Sequence, residues 1–129
     1  MHQQSLQTAQ LYLFYSELFG KERGPVKYTD KAANYIDLNY MKNITVEEIA
    51  DDMSVNRRYL SRIFKRDYGM TVKEYITKTR MSHALRLLEE GYRVKETSMM
   101  CGYNEVFNFS KMFKKYHSFS PSDVKHNKD

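Results

Sequence analysis

The sequence predicts an all-α fold of two helix-turn-helix units joined by a long central linker helix. About seven helices are expected in all, with a leader helix before them. Three observations lead there. Residues 71–91, TVKEYITKTRMSHALRLLEEG, hold no Pro and no internal Gly. Within them Val72, Ile76, Thr79, His83, Ala84 and Leu87 recur at helical spacing, with Tyr75 and Leu88 at the margins. The flanking segments look like two versions of one unit. Upstream lie Ile49-Ala50, Ser54 and Leu60-Ser61-Arg62-Ile63-Phe64-Lys65; downstream lie Thr97-Ser98, Gly102 and Phe109-Ser110-Lys111-Met112-Phe113-Lys114. The offset is 48 before each turn (Ala50 to Ser98, Ser54 to Gly102) and 49 after it (Phe64 to Phe113), so the second copy has one extra residue after its turn. Finally, Arg57, Arg58, Arg62, Lys65 and Arg66 crowd one predicted helix, and Lys111, Lys114 and Lys115 occupy its counterpart.

In chain order, residues 1–19 carry Leu6, Leu11, Phe14, Tyr15, Leu18 and Phe19, which suit a helix with a broad apolar face. Gly20 to Pro25 reads as a linker. Two readings of this leader stay open: a surface helix packing on the domain, or the tail of a separate upstream domain. Thr29 can cap a helix to about Tyr40 with Ala32, Ala33, Ile36 and Tyr40 on one side. Thr45 to Glu48 forms a capping box opening a short helix through Met53. Ala50 within it is small enough for a close helix crossing. Ser54-Val55-Asn56 makes a turn, and Asn56 can cap the helix from Arg57 to Tyr68, which stops at Gly69.

That helix has an apolar stripe of Tyr59, Leu60, Ile63 and Phe64, with Arg58, Ser61, Arg62 and Lys65 facing away. In the second unit Phe109, Met112, Phe113 and Tyr116 are apolar, while Val106, Phe107, Ser110 and Lys111 face out. Phe107 either offers an apolar contact to a major groove, where thymine methyls accept one, or folds back onto the core. Pro121 behind Ser120 opens a short final helix to about Lys125. The expected units are therefore about 46–68 and 94–116, with the linker helix about 71–90; residues 26–129 form one domain after a leader of 1–25.

Composition narrows the classes. The chain has 129 residues, 41% hydrophobic, with seven Phe and eleven Tyr, enough for a real core. A net charge of +5 suits a polyanionic partner. Asp30, Asp37, Glu47, Glu48, Asp51 and Asp52 make the approach to the first turn acidic. A single cysteine, Cys101, allows no internal disulfide and reads as a small buried filler. The longest apolar run, Leu11 to Tyr15, is far too short for a membrane, so no membrane partner is expected and the cytoplasm is the default location. His2, His83, His117 and His126 show no metal-ligand spacing with Cys101 or one another and read as surface histidines. With no phosphate loop and no arranged catalytic residues, neither a metal, a cofactor nor an enzyme activity is expected. Arg80 falls within the apolar stripe; it is either a phosphate contact or, preferably, half of a buried ion pair with a nearby carboxylate.

From about Lys27 to Lys125 the chain resembles the DNA-binding domain of the AraC/XylS family of bacterial transcription regulators. The residues carrying the resemblance are Ile44 to Ala50, Tyr59 to Lys65, Gly69 to Ile76, Arg80, Ala84, Cys101-Gly102-Tyr103, Phe109 to Lys114 and Ser120-Pro121. Departures are local: Ser98 in place of Ala, Ser54 in place of a turn Gly, Asn108 where an aromatic is common, and Val124 where Tyr is common. Ser54 must then take a backbone conformation that glycine adopts more easily.

The resemblance implies a homeodomain-like all-α fold and sequence-specific binding to double-stranded promoter DNA, two recognition helices entering successive major grooves. It assigns base reading to Arg58, Ser61 and Arg62 in the first unit and to Val106, Phe107, Ser110 and Lys111 in the second. Phosphate contacts are expected from Lys65 and Lys114, nearer the ends of their helices, and from Thr45, Asn56, Arg57 and Asn104. It further implies transcription activation, a contact with RNA polymerase, and an upstream domain that senses a small molecule or dimerises. A rigid helix of about 27 Å suits grooves that recur about every 34 Å. The two reading faces differ, so the site should be asymmetric, with arginine–guanine pairing making the first unit dominant. The alternative is a helical protein-interaction module whose basic faces meet an acidic partner.

Overall fold

The computed structural model describes residues 27–126; the leader and the linker before Pro25 lie outside them, as does His2. Six α-helices occur among the described residues, and no strand: α1 (Tyr28–Asn39), α2 (Val46–Asp52), α3 (Arg57–Tyr68), α4 (Val72–Glu89), α5 (Val94–Met100) and α6 (Val106–His117). The expected seventh helix is a single 3-10 turn, Pro121–Asp123. The chain divides into two compact units. The first comprises α1, α2, α3 and the start of α4; the second comprises residues 40–43 and everything from Ile76 onward.

In the first unit α1 and α2 pack on α3 and on each other. Its buried apolar residues are Ala32, Ala33, Ile36, Ile44, Ile49, Ala50, Leu60, Ile63, Phe64 and Val72. Polar bonds fasten α1 to α3: the Thr29 hydroxyl donates to Asp67 Oδ2 at 2.8 Å, and the Tyr68 hydroxyl to Asp30 Oδ1 at 2.7 Å. Thr29 is thus not the helix cap; it lies inside α1, fully buried, because Tyr28 and Lys27 already begin the turn. Arg66 and Thr29 together hold the Asp67 carboxyl down to a pKa of about 2. Burial pushes the Tyr68 phenol above its ordinary range, and Asp30 adds to that. The Phe64 ring stacks on Tyr68 at 4.5 Å and meets Tyr75 edge-on at 5.5 Å.

The second unit is built on Met81, Ala84, Leu87, Leu88, Cys101, Phe109 and Phe113, with Leu85, Val94, Tyr103, Met112 and Val124 packed against them. Burial drives the Cys101 thiol up to about 12. Arg80 forms no ion pair with a carboxylate among the described residues, contrary to the preferred expectation. Its Nε donates to the Tyr40 carbonyl and its Nη2 to the Lys42 carbonyl, both at 2.8 Å, while the guanidinium lies 5.5 Å from the centre of the Tyr103 ring. Five donors in a rigid fork let one side chain satisfy two carbonyls of an irregular segment. His83 and His117 are half-buried rather than surface residues. His83 stacks on Tyr40 at 4.1 Å, and His117 Nε2 lies 3.0 Å from the Met81 carbonyl oxygen.

The repeat seen in the sequence is a repeat of backbone. α2 and α5 are each seven residues, α3 and α6 each twelve. The Val55 N–H reaches the Ala50 carbonyl at 3.0 Å, and the Tyr103 N–H reaches the Ser98 carbonyl at 2.9 Å. After each long helix the next step is a reciprocal cap. The Thr71 N–H donates to Glu74 Oε1 at 2.8 Å while Thr71 Oγ1 accepts from the Glu74 N–H, and the Ser120 N–H donates to Asp123 Oδ2 at 3.2 Å. This cap opens α4 in the first unit and only the 3-10 turn in the second.

Candidate nucleic-acid interface

The local sequence fixes where each unit presents its second helix. Thr45 Oγ1 accepts from the Glu48 N–H at 3.1 Å and starts α2. Asn56 Oδ1 accepts from the N–H groups of Arg58 and Tyr59, at 2.8 and 3.3 Å, and starts α3. α3 then buries Leu60, Ile63 and Phe64 and exposes Arg58, Ser61, Arg62 and Lys65. These four stand at i, i+3, i+4 and i+7, one stripe of a helix. An offset of 49 turns them into Phe107, Ser110, Lys111 and Lys114 of α6, which lie opposite buried Phe109 and Phe113. Of this second stripe only Ser110 is half-buried.

Phe107 does not fold back onto the core: it is 74% exposed, and Val106 beside it is 36% exposed. Tyr59, expected in the apolar stripe of α3, is 41% exposed. It sits one residue before Leu60, at the margin of the buried arc. The Arg62 guanidinium lies 5.3 Å from the centre of its ring, a cation–π contact that holds Arg62 out along the helix. Tyr116 is likewise 43% exposed rather than buried.

An open hollow of about 530 Å³ at the start of α3 is lined by Asn56, Arg57, Arg58 and Ser61, so four of the assigned residues share one concave surface. Arg57 is paired: its Nη1 lies 3.1 Å from Glu47 Oε1, both side chains exposed. Thr45 and Asn56 are exposed, but their side-chain oxygens are engaged as helix caps. Asn104 is exposed in the turn before α6. Among the described residues no cluster of His, Cys, Asp and Glu could hold a metal ion, and no helix is long and apolar enough to cross a membrane. The α3 stripe offers hydrogen-bond donors and positive charge; the α6 stripe offers the same with exposed apolar groups at Phe107 and the adjoining Val106.

A family model described as a helix-turn-helix domain matches residues 49–127. The chain is 38% identical over 96 residues to the lactose operon transcription activator of Staphylococcus xylosus, covering 74% of this chain and 34% of that protein. It thus spans about a third of the length of the curated relatives it matches. The C-terminal domain of AraT, a response regulator from Geobacillus stearothermophilus, is similar with a TM-score of 0.75 and 29% identity, covering 78% of this chain and 84% of that one. The fold is also that of the DNA-binding domain of AdpA, solved with a target DNA, at a TM-score of 0.71 and 22% identity, covering 75% and 88% of the two chains. With two repeated helix-turn-helix units and these relatives, the chain belongs to the AraC-type helix-turn-helix family of DNA-binding transcription regulators.

Proposed function

We propose that this chain binds double-stranded promoter DNA sequence-specifically, with α3 and α6 reading bases in successive major grooves, and that the whole protein activates transcription. The single observation that carries this is the pair of matching stripes, Arg58, Ser61, Arg62 and Lys65 on α3 and Phe107, Ser110, Lys111 and Lys114 on α6. Base reading falls to Arg58, Ser61, Arg62, Val106, Phe107, Ser110 and Lys111. Arginine pairs bidentately with guanine, and Phe107 and Val106 suit thymine methyls. Lys65, Lys114 and Asn104 meet phosphates, with Arg57 once it leaves Glu47. Thr45 and Asn56 reach phosphate only through whatever capacity their capping bonds leave.

Activation has its support in the Staphylococcus xylosus relative, an activator by its name. RNA polymerase is then the protein partner. Residues 1–25 are proposed as the tail of an upstream domain that senses a small molecule or dimerises, in keeping with relatives about three times as long as the matched stretch. The test is a mobility shift against random duplexes and duplexes selected by the protein. A selected duplex should bind far more tightly than a random one and compete it away. Equal, weak binding of both, together with capture by an acidic protein surface, would replace this function with the interaction-module alternative.

A further inference from the structure

The two units are alike in backbone but opposite in charge at one place. The 48-residue offset that carries Ala50 onto Ser98 carries Glu47 onto Lys95, Asp51 onto Met99 and Asp52 onto Met100. In the first unit this position faces the start of the reading helix, because Glu47 Oε1 reaches Arg57 Nη1 at 3.1 Å. The residue equivalent to Arg57 is Val106, which cannot form such a pair. Lys95 is exposed and has no ion-pair partner among the described residues. The neighbouring carboxylate, Glu96, accepts the Arg93 N–H at 3.0 Å. So the first unit occupies one of its own cations with its own anion, and the second unit carries an exposed ammonium group at the equivalent position of its first helix.

We propose that Lys95 is a phosphate-binding residue of the second unit, placed in α5 at the position where the first unit holds Glu47. This rests on the DNA-binding function proposed above and goes further. It adds a contact not among the residues assigned to DNA, and it makes the second unit the stronger electrostatic grip. The first unit, where Arg57 must leave Glu47 before it can meet a phosphate, relies more on its base contacts. A lysine is suited to this as a compact point charge on a flexible stem, which needs no fixed geometry at the phosphate.

The experiment measures affinity for a selected and a random duplex across a salt series, with the chain as it stands and with Lys95→Gln, Lys95→Arg and Glu47→Lys. Each phosphate contact contributes about one unit to the slope of log affinity against log salt. Lys95→Gln should flatten that slope by about one on both duplexes. Its loss of affinity should be about three- to fourfold greater near 50 mM than near 200 mM salt, which is what one unit of slope amounts to. Lys95→Arg should restore the slope, and Glu47→Lys should steepen it by about one or more. An unchanged slope in Lys95→Gln, with the unsubstituted chain binding normally, overturns the assignment of Lys95. A loss confined to the selected duplex also overturns it, since phosphate contacts carry no sequence preference. If the unsubstituted chain binds neither duplex, the DNA-binding function itself fails, a result the salt series separates from the other two.

Discussion

Ser54 and Gly102 hold the same turn of the repeat, 48 residues apart, and both are left-handed, at φ 55° and 90°. The relationship is reversed at the ends of the reading helices. There Gly69 caps α3 and Ser118 caps α6, both at φ 71°. At the turn and at the end of the reading helix, each helix-turn-helix therefore needs a left-handed residue, and fills one of these two places with glycine and the other with serine. The serine carries a Cβ into a conformation that costs an L-residue about 1–2 kcal/mol.

Ser54→Gly and Ser118→Gly should each stabilise the chain, by about 0.5–1 kcal/mol once the extra unfolded-state freedom of glycine is set against the relieved strain. Gly102→Ala should do the reverse, and more strongly. Its Cβ would come within 3.0 Å of the Tyr40 carbonyl oxygen and 3.1 Å of the Met41 carbonyl oxygen, in addition to the backbone strain. Urea midpoints measure all three. A lower midpoint for Ser54→Gly would mean that its side chain stabilises the turn by more than the strain costs.

Phe64 and Phe113 are repeat equivalents, and both are fully buried. Truncation of either to Ala should cost about 3–5 kcal/mol. Because each anchors a different unit, thermal unfolding followed by near-ultraviolet circular dichroism should change in both variants. A midpoint unmoved in either would contradict its place in a core.

The helices and the repeat were legible because apolar spacing, the Thr45 and Asn56 caps and the 48- and 49-residue offsets are properties of short stretches. Gly69 announced its own role. Ser118 did not, since serine in a left-handed cap leaves no compositional mark. The cap at Thr71 and Glu74 has a Thr-x-x-Glu spacing, a weaker mark than the apolar pattern of α4 that it opens. Met81, fully buried, fell between Arg80 and Ser82 and so was hidden by its polar neighbours. The partners of Arg80 are illegible for a different reason. They are backbone carbonyls about 40 residues away, and no side chain near Arg80 in sequence points to them. Outward-facing positions on α3 and α6 followed from periodicity. That Arg57 is held by Glu47, ten residues earlier, depends on how α2 meets α3 and had no local signal.

Asp67 should contribute to acid sensitivity. Its bonds from Arg66 and Thr29 hold its folded pKa at about 2, below the value near 3.9 of an unfolded aspartate. A carboxyl depressed on folding stabilises the fold above the unfolded pKa and loses that contribution as pH falls toward the folded one. The stability advantage of the natural chain over Asp67→Asn should therefore be constant above about pH 5 and shrink between about pH 4 and 2. An advantage that does not change across that window would show that folding does not depress the Asp67 carboxyl.

The most direct test compares Arg62→Ala with Lys114→Ala over a library of single-base variants of the selected duplex, at several salt concentrations. Arg62 is exposed in the middle of the α3 stripe and is held out over Tyr59; Lys114 lies in the last turn of α6. Arg62→Ala should cost about 1–3 kcal/mol on the preferred duplex and relax preference at one or two base pairs. Lys114→Ala should weaken every variant alike and flatten the salt slope by about one. If Arg62→Ala instead weakens all variants equally, α3 grips the backbone rather than reading bases.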